Sequence, residues 1–282
     1  MSHSLSSKEF SLMQKFIQEK CGIAIGEEKA YLIECRLSKL LIDSNLSSFE
    51  ELYERITSRS DPNITEQVID AITTNETLWF RDRTPWEILE DILLPRYIEE
   101  MRTGKRSVVK IWSAACSTGQ EPYSTAMCID NYLKRNGITD ISLSRFKITA
   151  TDISRSVVQI AKLGRYDSIS IMRGLEEYYK SRYFTNEGRV WTLDDKIKNA
   201  VHFQQFNLQN SFLLLGKFDV VFCRYVIIYF SSDLKMEIIK KIAAAAEPDG
   251  VLFLGSSEIF PGQENSFETL HHKNGVYYKV KG

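Results

Sequence analysis

The chain has 282 residues, of which 43% are hydrophobic and 26% are charged, and its formal net charge is −1. These proportions are typical of an ordinary soluble protein of about two domains. A net charge this close to zero excludes a global electrostatic attraction to nucleic acid, and no apolar run approaches the roughly 18 residues of a membrane span. We therefore expect a cytoplasmic protein that neither binds nucleic acid nor inserts into a membrane.

The cysteines and histidines give no indication of a metal site. The five cysteines never form a C-x-x-C pair, so neither a disulfide framework nor a zinc site is indicated. The four histidines have no metal-like or triad-like neighbours. We expect no bound metal ion and assign no histidine to catalysis.

The first part of the chain shows only helical signals. Apolar residues recur at helical spacing over residues 10–17 and 32–41. Such stripes bury one face of each helix against the others. The sequence therefore predicts an all-α N-terminal domain over residues 1–72.

A polar segment follows at 73–77 and leads to a longer helix. Thr84-Pro85 supplies a cap and a first-turn proline, and the helical pattern continues to about Arg102. We interpret residues 73–104 as a linker with a connecting helix.

After Gly104 strands and helices alternate. Strand patterns lie at 108–112, 146–151, 218–223 and 251–255. Helical patterns lie between them, at 122–135, 154–163 and 232–246. This alternation predicts an α/β domain over residues 105–282, with a mostly parallel, doubly wound sheet.

Two segments depart from this alternation. Residues 165–205 are too many for one connection, and the runs RVWTL and VHFQQF alternate like strands, so we expect a small β-rich insertion there. Near the end of the chain, Asn274-Gly275 lies between two strand-like runs, which is a strong hairpin signal. The sheet should therefore end in an antiparallel C-terminal hairpin.

The first strand leads into a turn with the layout of a nucleotide-binding site. Small residues surround Gly119, the next helix opens at Glu121-Pro122, and Asp152 ends the second strand. An acid there typically binds the ribose hydroxyls of a nucleotide. A dinucleotide pyrophosphate needs G-x-G-x-x-G, whereas this turn has one glycine. An adenosine compound without phosphates, such as S-adenosylmethionine, fits better; the alternative is an ordinary β–α connection with an acidic helix cap.

Six motifs, in order along the chain, resemble one family. They are TTNETLWFRD (73–82), IWSAACSTGQEPYS (111–124), ATDIS (150–154), FNL (206–208), FDVVFCRYVIIYF (218–230) and LFLGSSE (252–258). Together they are similar to the chemotaxis receptor glutamate methyltransferases, the CheR family. The resemblance implies a class I S-adenosylmethionine-dependent methyltransferase fold, with S-adenosylhomocysteine as a product. It also implies that glutamyl methyl esters form on the cytoplasmic helices of methyl-accepting chemotaxis receptors.

The resemblance also implies roles for the matching residues. Arg81 and Tyr229 are the expected catalytic residues, because the family's arginine reaches the transfer site and its tyrosine faces the methyl group. The expected cofactor-binding residues are Asn75, Thr77, Arg81, Glu121, Asp152, Asn207, Leu208, Arg224 and Tyr225.

Structural roles are the alternative for several of these residues. Asn75 and Thr77 also suit a turn or a helix cap. Glu121 would pair with the ammonium group of the cofactor, or serve only as an acid at a helix N-terminus. Asn207 and Leu208 would contact the adenine edge, or form a polar strand end.

One position departs from the family pattern R-N-V-x-I-Y-F. This chain has Tyr225 where the family has asparagine. If the asparagine amide holds cofactor atoms, Tyr225 must use its backbone or hydroxyl, or the contact is lost. A non-catalytic regulator that binds S-adenosylmethionine is therefore one alternative, and methylation of another protein carboxylate is a second. The intact Arg81 and Tyr229 favour catalysis.

Two further features concern receptor recognition. Lys29, Arg36 and Lys39 share one face of a predicted helix, which the resemblance makes a contact for an acidic receptor helix and which is otherwise a solvated basic face. Some family members also bind a receptor C-terminal pentapeptide through the β insertion. Here only residues 185–188 separate RYF from RVWTL, a loop shorter than in those members. We expect the pentapeptide to bind very weakly or not at all.

Overall fold

The structure is a computed structural model that describes residues 4–58, 61–258 and 266–281. Within these residues the N-terminal domain contains four α-helices, Ser7–Cys21 (α1), Ala30–Asp43 (α2), Phe49–Thr57 (α3) and Pro62–Ile72 (α4). Their apolar faces meet in one core, whose fully buried side chains include Met13, Ile17, Ile33 and Leu37. Throughout the described part of the chain, every helix is too short or too polar to span a bilayer.

A long helix follows the linker. It runs as Thr84–Ile88 (α5) and Leu94–Arg102 (α6), with a π-helical turn at Leu89–Leu93 between them. Trp86 and Tyr97 on its buried side belong to the core of the second domain. The connecting helix is therefore packed as part of the sheet domain.

The second domain contains ten strands within the described residues. In chain order they are Val109–Ala114 (β1), Phe146–Asp152 (β2), Arg165–Asp167 (β3), Phe184–Glu187 (β4), Val190–Leu193 (β5), Val201–Gln205 (β6), Phe218–Cys223 (β7), Ala246–Phe253 (β8), Phe267–His272 (β9) and Gly275–Val280 (β10). Seven form one sheet in the order β6-β2-β1-β7-β8-β10-β9. The first five are parallel, and β10 is antiparallel to both neighbours. The predicted mostly parallel sheet with an antiparallel C-terminal hairpin is confirmed.

The remaining helices of this domain are Gln120–Arg135 (α7), Arg155–Leu163 (α8), Ser168–Met172 (α9), Glu177–Tyr183 (α10), Asp195–Lys198 (α11) and Ser232–Ala245 (α12). Because side chains alternate along a strand, the neighbours Ile111 and Trp112 of β1 belong to different buried clusters. Apolar cores therefore cover both faces of the large sheet. Its strand order reverses between β1 and β7, the point where open α/β sheets bind ligands at their carboxyl ends.

The insertion is smaller than the predicted span of 165–205. The segment 201–205 is β6, which pairs in parallel with β2 at the edge of the large sheet. Its alternating pattern shows that one face is covered but does not reveal which sheet it joins. The insertion has its own small sheet, in the order β3-β5-β4, and a two-residue turn at 188–189 joins β4 to β5.

The C-terminal hairpin turns one residue earlier than the sequence predicts. The turn is Lys273-Asn274, and Gly275 already pairs with His272. Glycine suits the close packing here, because a Cβ on Gly275 would lie 2.9 Å from Cδ1 of Ile88 and 3.1 Å from Cβ of Thr84, so a neighbour would have to shift. The missing side chain lets the hairpin pack closely against α5.

The N-terminal domain packs against the carboxyl ends of the parallel strands. The main chain after α1 pairs with the segment after β7, where the backbone N–H of Ala24 donates to the Tyr229 carbonyl at 2.8 Å. Ser154 Oγ, at the start of α8, donates to Asp70 Oδ1 of α4 at 2.6 Å. The helical domain thus forms a wall beside the end of the sheet where the strand order reverses.

Candidate active site

A cleft of about 230 Å³ lies at the carboxyl ends of β1, β2 and β7, between the sheet and the N-terminal domain. The linker residues 73–78 and the turn residues 115–117 form parts of its wall. All predicted site residues except Lys39 line it: Lys29, Arg36, Asn75, Thr77, Arg81, Glu121, Asp152, Asn207, Leu208, Arg224, Tyr225 and Tyr229. The fold therefore brings together side chains that are far apart in the sequence.

The Asp152 carboxylate, at the end of β2, is held by the backbone. The N–H of Ser117 donates to Oδ2 at 2.8 Å, and the N–H of Ser154 donates to Oδ1 at 3.0 Å. Burial raises the pKa of this carboxyl, and the two hydrogen bonds oppose that rise. A carboxylate has about four lone-pair sites, so Asp152 keeps acceptor capacity toward the cleft.

In the turn after β1, the residues that line the cleft do not include Gly119. Ala115 and Ser117 line the cleft and have φ values of +60° and +50°. Gly119 has φ +95°, and a Cβ there would lie 3.1 Å from Cβ of Ala161 in α8. Gly119 is therefore required by its conformation and by helix packing, rather than by the approach of a ligand.

The Arg224 side chain follows β7 and is 1% exposed. Its Nη1 donates to Glu121 Oε2 at 2.9 Å, and its Nη2 donates to Asp82 Oδ2 at 2.7 Å and to the Arg81 carbonyl at 2.6 Å. The guanidinium carbon lies 5.2 Å from the centre of the Trp86 ring. Burying a charge is costly unless it is paired, and these partners meet that requirement. Arg224 thus ties the end of β7 to the linker and to α7.

Glu121 lies in the first turn of α7, which begins at Gln120, two residues before the predicted start. Its Oε2 accepts from Arg224, and its Oε1 accepts from Ser113 Oγ at 2.7 Å. Both carboxylate oxygens therefore have protein partners, which the sequence did not indicate. Each oxygen can still accept a second hydrogen bond from a ligand.

Arg81 and Tyr225 form a stacked pair at the cleft. The guanidinium carbon of Arg81 is 3.4 Å from the centre of the Tyr225 ring, a close cation–π contact. The Tyr225 hydroxyl donates to Asp82 Oδ2 at 2.5 Å and lies 2.7 Å from Ser256 Oγ. Burial raises the pKa of the Asp82 carboxyl, but the Tyr225 hydrogen bond and the Arg224 charge outweigh it and hold that pKa below its usual value.

The buried Glu258 carboxylate anchors the turn that carries Tyr225 and Tyr229. It accepts hydrogen bonds from four backbone N–H groups, those of Tyr225 (2.6 Å), Gly255 (2.8 Å), Val226 (3.0 Å) and Ile228 (3.3 Å). We did not predict this residue as part of the site. Its signal in the sequence is an acid that ends the LFLGSSE motif, shortly after a buried strand.

Asn207 joins the two domains. Its Nδ2 donates to the Lys20 carbonyl of α1 at 2.7 Å, and its Oδ1 accepts from the Gln209 N–H at 2.9 Å. Leu208 beside it is buried and lines the cleft. Because the side-chain amide of Asn207 is already hydrogen-bonded within the protein, a ligand is better placed to contact backbone groups of this segment than that side chain.

The linker residues Asn75 and Thr77 cap no helix. The next helix starts only at Thr84, and its N-cap, Arg83, makes no side-chain capping bond. Asn75 instead accepts a hydrogen bond on its carbonyl from Ser117 Oγ at 3.0 Å. This bond ties the linker to the turn after β1.

The structure separates the three basic residues of the predicted recognition face. Lys29 and Arg36 line the cleft, and Arg36 Nη2 donates to Thr74 Oγ1 at 2.9 Å. Lys39 lies outside the cleft lining and pairs with Asp43 at 3.4 Å, with 85% of its side chain exposed. The common surface at the cleft therefore reduces to Lys29 and Arg36.

The described residues contain no group of three or more side chains suited to bind a metal ion. Cys116 lines the cleft, and burial raises the pKa of its thiol well above the usual value. Burial likewise raises the pKa of the Cys223 thiol, at the end of β7, well above the usual value. Neither thiol is suited to act as a thiolate nucleophile.

Comparison with known proteins agrees with this geometry. The model for the CheR methyltransferase, SAM binding domain, matches residues 75–276, and the model for the CheR methyltransferase, all-alpha domain, matches residues 8–73. The chain is 40% identical to the chemotaxis protein methyltransferase Cher2 of Pseudomonas putida, over 99% of this chain and 100% of that protein. It is 41% identical to chemotaxis protein methyltransferase 1 of Pseudomonas aeruginosa, with the same coverage. The corresponding protein of Vibrio cholerae is also 41% identical, over 99% of this chain and 98% of that protein. The two family matches and these full-length similarities show that the chain belongs to the CheR methyltransferase family.

Proposed function

We propose that the protein is a protein-glutamate O-methyltransferase that forms glutamyl methyl esters on chemotaxis receptors. The observation that carries the proposal is the position of Arg81, which lines the same cleft as Asp152 and Tyr229. A guanidinium beside a cofactor site is suited to hold a carboxylate substrate. The full-length similarity to proteins named chemotaxis protein methyltransferase supports the same class of substrate here.

The cleft residues fit S-adenosylmethionine. Asp152 offers a carboxylate to ribose hydroxyls, and Ala115 leaves the backbone of the turn open to a ligand. Arg224 Nε is buried and has no hydrogen-bond partner within the described residues, so an acceptor such as the carboxylate of the cofactor would satisfy it. When bound, S-adenosylmethionine supplies a methyl group carried on a sulfonium.

The remaining task of the protein is to position the substrate. A glutamate side chain has a free pKa of about 4.3 and is ionised near neutrality, so no general base is needed. Arg81 is able to hold this carboxylate through two parallel hydrogen bonds, and near-attack placement of the reactants contributes roughly 7–11 kcal/mol. Tyr229, half-buried at the cleft, would orient the same carboxylate. The mechanism requires no covalent enzyme intermediate.

The receptor helix would approach between the two domains. Lys29 and Arg36 of the helical domain line the cleft together with Arg81. Three cations at one opening complement an acidic methylation helix and steer its approach. Lys39, which pairs with Asp43, contributes less to this surface.

Methyl transfer to receptors tests the proposed function directly. The protein would be incubated with labelled S-adenosylmethionine and membranes that contain the organism's chemoreceptors. We expect labelled receptors whose label is released by alkali, as a methyl ester requires. Because Arg81 holds the reacting carboxylate, Arg81→Ala should lower the single-turnover rate by about 100-fold, much more than it weakens cofactor binding.

Arg83→Ala is the matched control, because Arg83 is an exposed arginine of the same loop and pairs with Glu176. This variant should keep the wild-type rate. Label that resists alkali would contradict the methyl ester. An Arg81→Ala variant with normal turnover but poor cofactor affinity would contradict the role of Arg81.

Asp152→Ala should weaken the binding of S-adenosylhomocysteine, for which we expect a micromolar Kd. Two ribose hydroxyls then lose a partner at about 1–3 kcal/mol, which corresponds to roughly 5- to 150-fold in affinity. Isothermal titration calorimetry measures the change. Asp152 also accepts from two backbone N–H groups, so the melting temperature of the variant serves as the control for folding. Unchanged affinity would remove Asp152 from the site.

The short turn of the insertion underlies a prediction about receptor tethering. β4 and β5 are joined by two residues, Gly188 and Arg189, so the hairpin offers no long loop to enclose a peptide added at the sheet edge. We expect no saturable binding of a receptor C-terminal pentapeptide up to about millimolar concentration. Calorimetric titration, with a scrambled pentapeptide as control, measures this. Saturable binding at low micromolar concentration would show that the short turn permits recognition.

A further inference from the structure

Tyr225 has a backbone conformation that tyrosine rarely adopts. Its φ is +57°, in the left-handed region where asparagine is tolerated and a bulky residue is an outlier. Strained residues of this kind persist only where the surrounding structure holds them, and they concentrate at functional sites. Here Glu258 holds the turn by accepting from the Tyr225 N–H at 2.6 Å. The hydrogen bond to Glu258 therefore holds Tyr225 in this strained conformation and fixes the position of its ring.

The Tyr225 ring is fixed on three sides. Arg81 covers one face, with its guanidinium carbon 3.4 Å from the ring centre. Gly255 lies against the edge of the ring. A Cβ on this residue would be only 3.0 Å from both Cδ1 and Cε1 of Tyr225. Asp82 and Ser256 hold the hydroxyl at 2.5 and 2.7 Å. A ring held at its face, edge and hydroxyl is a rigid platform.

Arg81, in contrast, has few bonds that fix its own side chain. Within the described residues its guanidinium makes one hydrogen bond, from Nη1 to the Glu76 carbonyl at 3.3 Å. A long side chain loses much rotamer freedom when it is held in one place. The Tyr225 ring is thus the main contact that holds the guanidinium at the cleft.

We propose that Tyr225 is a positioning residue that presents the Arg81 guanidinium to the substrate carboxylate. The proposal rests on the proposed function, in which Arg81 holds the receptor glutamate. Stacking uses the face of a guanidinium, whereas a carboxylate binds along its edge. The platform therefore orders Arg81 without occupying the N–H groups that the substrate needs.

Two substitutions separate the ring of Tyr225 from its hydroxyl. Tyr225→Phe keeps the stacked ring and loses only the hydroxyl contacts with Asp82 and Ser256, so it should lower kcat/KM less than removal of the ring does. Tyr225→Asn suits the positive φ but removes the ring, and kcat/KM for the receptor should fall about tenfold, mainly through KM. The Kd of S-adenosylhomocysteine should not rise, because the proposed role of Tyr225 is toward the substrate. Wild-type kinetics in Tyr225→Asn, an equal loss in both variants, or a loss of cofactor affinity would overturn the proposal.

A double-mutant cycle with Arg81→Ala shows whether Tyr225 acts through Arg81. Single-turnover rates at receptor concentrations well below KM are measured for both single variants and for the double variant. In the Arg81→Ala background, Tyr225→Asn should change the rate less than about twofold, because the partner is already absent. Multiplying losses would show that Tyr225 acts on its own and would overturn the proposal.

The same cycle is measured in the free energy of unfolding, which requires no activity. The two substitutions should be coupled, since the residues are in contact, and additive effects would overturn the contact itself. A wild-type protein that transfers no methyl group while this coupling is present would overturn the proposed function, and with it the role of Tyr225. The two failures are therefore distinguishable.

Discussion

The rest of the site depends on the ion pairs that the buried guanidinium of Arg224 forms with two carboxylates. The Arg224 side chain is 1% exposed, and it has carboxylate partners from two other segments, Asp82 of the linker region and Glu121 of α7. Losing one partner of a buried ion pair typically costs about 3–5 kcal/mol, because the remaining charge is left uncompensated. One cation therefore holds the end of β7, the linker and α7 in a single arrangement, which apolar packing alone does not specify.

Asp82 carries this constraint from the interior to the cleft. Its Oδ2 accepts from both Arg224 and the Tyr225 hydroxyl, and the Tyr225 ring then supports Arg81. The buried guanidinium of Arg224 is thus connected to the half-buried guanidinium of Arg81 through a carboxylate and an aromatic ring. This connection explains how a side chain at the cleft can be ordered in a loop, since hydrogen bonds and a stacked ring link it to the buried Arg224.

Local sequence patterns predicted most of the fold but not its long-range choices. The strand β7 and the helix α12 lie where apolar periodicity places them, because burial of one face is a local property of the sequence. The assignment of 201–205 to the insertion was wrong, because alternation does not reveal which neighbour a strand pairs with. The hairpin shows a similar long-range effect, because Gly275 packs closely against α5, a helix almost two hundred residues earlier in the chain.

For the candidate site too, the sequence predicted which residues take part but not which partners they contact. The motifs identified Arg81, Asp152 and Tyr229 as site residues, and all three line one cleft. The contacts of Glu121 and the anchoring role of Glu258 became visible only in the structure. A motif specifies positions on a fold, but hydrogen-bond partners depend on how separate segments pack. Tyr225 makes this distinction most clearly, because a residue that breaks the local conformational preference is retained where its ring and hydroxyl gain new partners. A departure from local preference that coincides with compensating contacts is expected at functional positions, and Tyr225 fits that expectation through the contacts of its ring and its hydroxyl.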